Sequence, residues 1–191
     1  MDSFHTAKLT SLFQLLLQLL DPDFRRQGLV ETPGRAAKAW QEWTAGYGMR
    51  ASDILKVFED GAEDCDEMVV VQNIPVYSHC EHHLAPIFGT ATVGYLPSGS
   101  IVGLSKLNRL VDMYARRLQV QERMTNEIAK ALMENLKPKG CGVLIRARHM
   151  CMESRGVKQS GSFTITSSMH GLFREDPTVR AEFLSLASPN N

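Results

Sequence analysis

Ser78-His79-Cys80-Glu81-His82-His83 carries three imidazoles and a thiol within five residues. Cys80 and His83 stand in CxxH spacing, short enough for one tight turn to aim both side chains at a single ion. A second pair, His149 and Cys151, closes Val143 to Met152, a segment that reads as a strand. Side chains alternate along a strand, so His149 and Cys151 are expected on one face and Met150 and Met152 on the other. With that strand beside the 80–83 turn, four or five nitrogen and sulfur donors converge. Two thiolates and an imidazole suit Zn²⁺, at ~2.3 Å for sulfur and ~2.0 Å for nitrogen. Cys80, His83 and Cys151 as ligands leave a fourth position for water, the catalytic pattern, and zinc lowers the pKa of such a water toward ~7. A closed site with His149 or His82 as fourth donor is the competing reading, and unpaired buried His and Cys is the bland one. The HxE…PCxxC pattern of zinc nucleobase deaminases is absent, which argues against a simple base deaminase.

A second constellation suits an anionic purine ligand. Gly103-Leu-Ser-Lys-Leu-Asn-Arg109 opens a helix, with Ser105 as its expected N-cap and Lys106 and Arg109 in its first turns. Helix N-termini attract phosphate, and cations beside them add to this. Gln121-Glu122-Arg123 falls at a helix break. A carboxylate there gains meaning if the ligand is guanine, whose N1–H and N2–H₂ edge offers two adjacent donors. Arg155 follows the metal segment. Arg35 and Lys38 are one turn apart on a helix that starts at Pro33, and by themselves read as surface charges.

The elements that position these residues can be read from period. Leu9, Leu12, Phe13, Leu16, Leu17 and Leu20 recur at helical spacing, and Asp21-Pro22 breaks the pattern. Thr32 as N-cap and Pro33 in the first turn start a second helix. Glu59 to Glu67, with six acidic residues in nine, reads as a solvated connector. Met68–Tyr77 and Ile87–Tyr95 read as strands, with Leu96-Pro-Ser-Gly99 as a turn. Two helical patterns follow, Leu107–Leu118 and Met124–Leu136, out of phase across a break at Gln119–Gln121. Val143–Met152 and Ser162–Ser168 are strands, and a short helix spans Thr178–Leu186. The order is α+β: an antiparallel four-stranded sheet with two long helices on one face, plus an N-terminal helical extension. The organisation expected is a helical region over 1–60 and a catalytic domain over 61–191.

The 191 residues are enough for one substantial core. The 21 basic residues balance 21 acidic ones, so no global field favours nucleic acid or anionic membrane, and an anion must be held locally. No apolar run reaches the ~20 residues of a membrane span. The first residues lack a basic region followed by an unbroken apolar stretch, which argues against a secretory signal and for a cytoplasmic protein. Disulfides are then not expected among Cys65, Cys80, Cys141 and Cys151. Cys65 and Cys141 are expected to be small buried apolar residues.

Taken together, Ser78–His83, Gly103–Lys106, Arg117–Arg123 with Thr125, and His149–Gly156 resemble zinc-dependent GTP cyclohydrolase I, with further likeness at Thr32–Arg35 and Gly171–Leu184. The resemblance implies the tunnelling fold and a homodecamer of two stacked pentamers with active sites between subunits. It implies GTP as substrate and Zn²⁺ on Cys80, His83 and Cys151. Glu122 would hold the guanine edge with Gln121 beside it. Lys106, Arg109, Arg155, Arg35 and Lys38 would hold the triphosphate, with Ser105 on ribose or phosphate. His149 would protonate N7, and His82 would move protons at the ribose. The product would be formate and 7,8-dihydroneopterin triphosphate. The alternatives are a zinc-stabilised GTP-binding module without turnover, and a thiol-dependent nitrile reductase of the same fold.

Overall fold

The computed structural model describes residues 3–59, 62 and 65–188, so much of the acidic connector (60, 61, 63 and 64) lies outside the described residues. The chain divides into two compact units, Met1–Ala45 and Gly46–Asn191. The sequence boundary at 60 falls inside the second unit.

In the first unit, α1 (Ser3–Leu20) and α2 (Thr32–Trp43) pack on each other, joined by Gln41 Nε2 donating to Thr6 Oγ1 at 2.6 Å. The expected Thr32 cap is not formed: Glu31 is the N-cap residue, and the Thr32 hydroxyl donates back to the Gly28 carbonyl at 3.3 Å. Pro33 sits in the first turn, where its missing N–H costs nothing.

The second unit is α+β. Its elements are α3 (Ala51–Ile54), β1 (Val57–Phe58), β2 (Val69–Cys80), β3 (Pro86–Leu96), β4 (Ile101–Val102), α4 (Leu104–Ala115), β5 (Leu118–Gln119), α5 (Gln121–Leu136), β6 (Gly140–His149), α6 (Met150–Glu153), β7 (Thr164–Gly171), α7 (Leu172–Glu175) and α8 (Pro177–Ala187). The four long strands pair antiparallel as β2-β3-β6-β7, and β1 pairs with β4 as a separate ribbon. A four-stranded sheet was expected; the sheet has five, because the helix break at 118–119 lies parallel to the end of β2.

Odd-numbered residues of β6 face the helices. Val143, Ile145 and Ala147 are buried with Val76 and Val93 against Leu107, Leu110 and Val111 of α4 and Met124, Ile128 and Leu132 of α5. Burying each large side chain of this set stabilises by roughly 1.5–3 kcal/mol. The opposite face carries a smaller cluster, Met169, Phe173, Phe183 and Ala187. Gly94 and Gly142 make room for it, since a Cβ at either would come within 2.8 Å of a phenylalanine ring carbon. Among the described residues no helix is long and apolar enough to cross a membrane.

Candidate functional site

Three strand ends meet at one edge of the helix-facing side. β2 delivers Cys80, β3 begins at Pro86, and β6 delivers His149 in register with Ile87. Between β2 and β3 the chain makes a tight turn. The N–H of Cys80 donates to the Ala85 carbonyl at 2.8 Å, and that of Leu84 to the Cys80 carbonyl at 2.8 Å. Leu84 takes a positive φ of 54° to close it. The turn is tied to the rest of the unit from outside. Glu81 N–H donates to the Gln119 carbonyl of β5 at 3.1 Å, and Arg123 of α5 pairs with the Glu81 carboxylate. Arg123 also donates to the Leu118 carbonyl and Gln119 Oε1, and the guanidinium lowers the Glu81 pKa.

The ligating atoms of Cys80, His83 and Cys151 all lie within 4.8 Å of one another. His83 Nδ1 is 3.9 Å from Cys80 Sγ. Around a tetrahedral ion with bonds of ~2.0–2.3 Å, ligand atoms stand roughly 3.5–3.8 Å apart, so the three donors fit zinc with little adjustment. Burial and the neighbouring Cys80 raise the Cys151 pKa, and only Arg155 and a backbone contact lower it. A cation reverses that balance, because a coordinating thiol is deprotonated.

Neither candidate for a fourth ligand joins the group among the described residues. His82 Nδ1 is 3.7 Å from Cys80 Sγ, but the side chain is 64% exposed and its Nε2 faces Glu81 at 3.9 Å. His149 Nε2 lies 2.7 Å from Gln121 Oε1. The open three-ligand reading is the better fit to this geometry.

The strand argument for His149 and Cys151 needs correction. β6 ends at His149, and Cys151 lies on the single turn α6. The two side chains come to the site from a strand end and a helical turn, not as alternate residues of one strand.

The Gln121 side chain has a structural task. It is 1% exposed, and its side-chain amide is wholly engaged inside the protein. Nε2 lies 3.1 Å from the Ile145 carbonyl, 3.0 Å from the Thr164 carbonyl and 3.1 Å from Thr166 Oγ1. Carbonyls only accept, so that end of the amide must be the nitrogen, and Oε1 faces His149. Thr125 Oγ1 donates to the Gln121 carbonyl at 2.7 Å, which makes Thr166 the donor in the 2.6 Å contact between the two hydroxyls. His149 Nε2 therefore carries the proton, and Nδ1 is the nitrogen left for chemistry. Burial lowers the His149 pKa, and the nearby Glu122 charge opposes this. Glu122 itself is exposed in the first turn of α5.

The basic residues divide. Arg155 is exposed just beyond α6, close enough for its charge to act on Cys151. Ser105 and Lys106 are at the opposite end of α4 from β5 and Cys80, and Arg109 lies near the middle of the helix. At 1.5 Å per residue Ser105 and Lys106 stand on the order of 15 Å along the helix from its β5 end. The structure does not bring those two to the triad of the same chain. Ser105 is inside the first turn, with Gly103 as N-cap residue. Arg35 and Lys38 are exposed on α2 in the first unit, and Arg35 pairs with Glu31.

Cys141 is buried and its thiol is pushed up to about 12 by burial, so it stays a neutral apolar group. Cys65 is exposed, against expectation. Sequence reasoning missed Glu81, Arg123, Thr166, Arg148 and Glu153, whose roles depend on partners distant in the chain or set by a local turn. None carries a spacing signal.

The sequence model of the family described as GTP cyclohydrolase I matches residues 9–188. A protein named GTP cyclohydrolase 1 from Janthinobacterium sp. (strain Marseille) is 59% identical over 97% of this chain and 92% of its own. One of the same name from Homo sapiens is 51% identical over 97% of this chain and 74% of its own. Among solved structures, an archaeosine synthase QueF-Like in the apo form aligns with a TM-score of 0.46 and 15% identity, covering 55% of this chain and 93% of that one.

Proposed function

The chain belongs to the GTP cyclohydrolase I family, and from that premise we infer that it converts GTP and water to formate and 7,8-dihydroneopterin triphosphate. The observation that carries the site assignment is the group of Cys80, His83 and Cys151, drawn together beside a His149 whose proton is fixed by Gln121. Those three residues would hold zinc. When bound, zinc supplies Lewis-acid activation of a water for attack at C8 of the purine.

The chain's own residues do the rest. Glu122 accepts from N1–H and N2–H₂ of guanine and so orients the base. His149, with Nε2 tied to Gln121, exchanges a proton with N7 through Nδ1. Opening of the C8–N9 bond leaves a formamide, and a second hydration releases formate. His82, exposed at the rim of the turn, serves proton transfers at the ribose during rearrangement and ring closure. Arg155, Lys106, Arg109, Arg35 and Lys38 bind the triphosphate, with Ser105 at the α4 N-terminus.

The separation of Ser105 and Lys106 from the metal triad supports an active site shared between copies of the chain. Among the described residues the outer edge of β7, and that of β2 before its pairing with β5, have no strand partner, which suits a tunnelling-fold ring and the homodecamer of two pentamers. We assign a cytoplasmic location because thiols reserved for a metal need a reducing compartment. Residues 1–60 then act as a helical extension to the catalytic domain at 61–191.

The test is turnover. Purified protein given GTP should release formate and a fluorescent pterin, and a strong chelator should abolish both. Binding of GTP and zinc without formate release would instead identify a binding module.

A further inference from the structure

The helical turn that carries Cys151 is too short to hold itself. α6 has four residues, and one turn of helix fixes several dihedrals for a single intrahelical bond. At its end, Ser154 N–H donates to the Met150 carbonyl at 2.9 Å, and Gln159 N–H donates to the Met152 carbonyl at 3.2 Å. The turn also follows directly on β6, with the extended residue His149 as its N-cap and no side-chain cap.

An ion pair bridges this junction. Arg148, the last residue of β6 on the face away from His149, donates through Nε to Glu153 Oε1 at 2.8 Å and through a terminal nitrogen to Oε2 at 2.5 Å. The guanidinium lies over the Phe88 ring, 5.3 Å from its centroid, on the adjacent strand. The Glu153 side chain is 7% exposed, and its pKa is lowered by Arg148 and by a backbone contact from Gly161. Glu153 thus ends the one-turn helix, grips the strand before it and meets the loop after it.

We propose that the Arg148–Glu153 pair positions Cys151 for the metal, by locking α6 to the end of β6 so that Sγ stays within reach of Cys80 and His83. Neither residue is among the grouped ligand donors. The proposal rests on the reading of Cys80, His83 and Cys151 as metal ligands. Partners outside the ligand set commonly alter metal affinity by about tenfold to a hundredfold.

The experiment measures zinc affinity of the full chain by competition with a chromophoric chelator, using zinc alone as the probe. Arg148→Met and Glu153→Gln should each weaken zinc binding by about tenfold or more, and the double variant should be no worse than the weaker single. Arg148→Lys, which keeps the charge and loses the bidentate geometry, should fall between and serves if Arg148→Met does not fold. Ile128→Val, a core change on α5 that lowers stability, should leave zinc affinity untouched. Wild-type zinc affinity in the Arg148 and Glu153 single variants, or costs that multiply in the double variant, would overturn the proposal. A wild-type chain that binds no zinc would refute the metal reading itself, and this proposal with it.

Discussion

The tautomer of His149 can be tested by two substitutions at one buried atom pair. Gln121→Leu and Gln121→Glu both remove the amide donor that serves the Ile145 and Thr164 carbonyls. Each variant should therefore lose stability by a similar amount, about 1–3 kcal/mol for each carbonyl left without a donor. Only Gln121→Leu also removes the acceptor 2.7 Å from His149 Nε2. That leaves the Nε2–H tautomer without a partner in a buried position, again at about 1–3 kcal/mol. At ~1.4 kcal/mol per factor of ten, the fraction of His149 with its proton on Nε2 and Nδ1 open should fall roughly fivefold to 150-fold relative to wild type. The fall should appear in kcat for formate release, with KM for GTP little changed, since on the proposed reading Glu122 holds the base. Gln121→Glu keeps an acceptor facing the imidazole and should retain much more of kcat, compared at the plateau of each pH profile since the new carboxylate raises the His149 pKa. Imidazole ¹⁵N shifts read the tautomer directly. Equal loss of kcat in both variants, or an Nε2–H signal unchanged in Gln121→Leu, would refute the assignment.

Glu122→Gln should weaken the preference for GTP over ATP by about 1–3 kcal/mol, since one amide N–H would then face a guanine donor; competition binding reads the change. If active sites are shared, Cys151→Ser and Lys106→Ala chains should each be inactive alone, yet mixed assemblies should regain formate release in roughly a quarter of sites, and no regain would place each site within one chain. His170 has a lowered pKa, from burial first and then from Arg174 and Lys130, so the folded state disfavours its charged form. Its contribution to stability is then full above the ordinary value of 6.5 and is lost as pH falls below it. Thermal melts from pH 8 to 5 should show wild type losing more stability than His170→Asn over that range.

What could be read in advance was set by distance along the chain. Cys80 and His83 share one turn, so their convergence needed only the chain's local geometry. The α4 and α5 patterns were legible because Leu107, Leu110 and Val111, and Met124, Ile128 and Leu132, repeat at helical spacing on buried faces. The failures lie where tertiary partners decide. Met150–Met152 reads as the end of a strand by composition, but it forms a turn of helix bridged to β6 by the Arg148–Glu153 pair. Leu118-Gln119 is too short to read as a strand, and is one only because β2 lies beside it. Gln121 was expected beside Glu122, and nothing in its neighbours along the chain announces the carbonyls of Ile145 and Thr164.

The two ion pairs at the site show how a reactive turn is kept in place without crowding it. Arg123 holds Glu81 from α5, and Arg148 holds Glu153 from β6. Each acid lies one or two residues from a proposed ligand, so each pair fixes backbone rather than the sulfur itself. The more exposed of the two, Arg123–Glu81, adds little to global stability. Their use here is geometric: Cys80 and Cys151 arrive from segments far apart in sequence, and a small rotation of either turn would carry its sulfur out of range of the other. The same logic explains why His149 sits on a strand and not on a turn. In the proposed role a proton donor must keep its ring angle through the reaction, and β6 together with the buried Gln121 amide supplies that constraint from two directions.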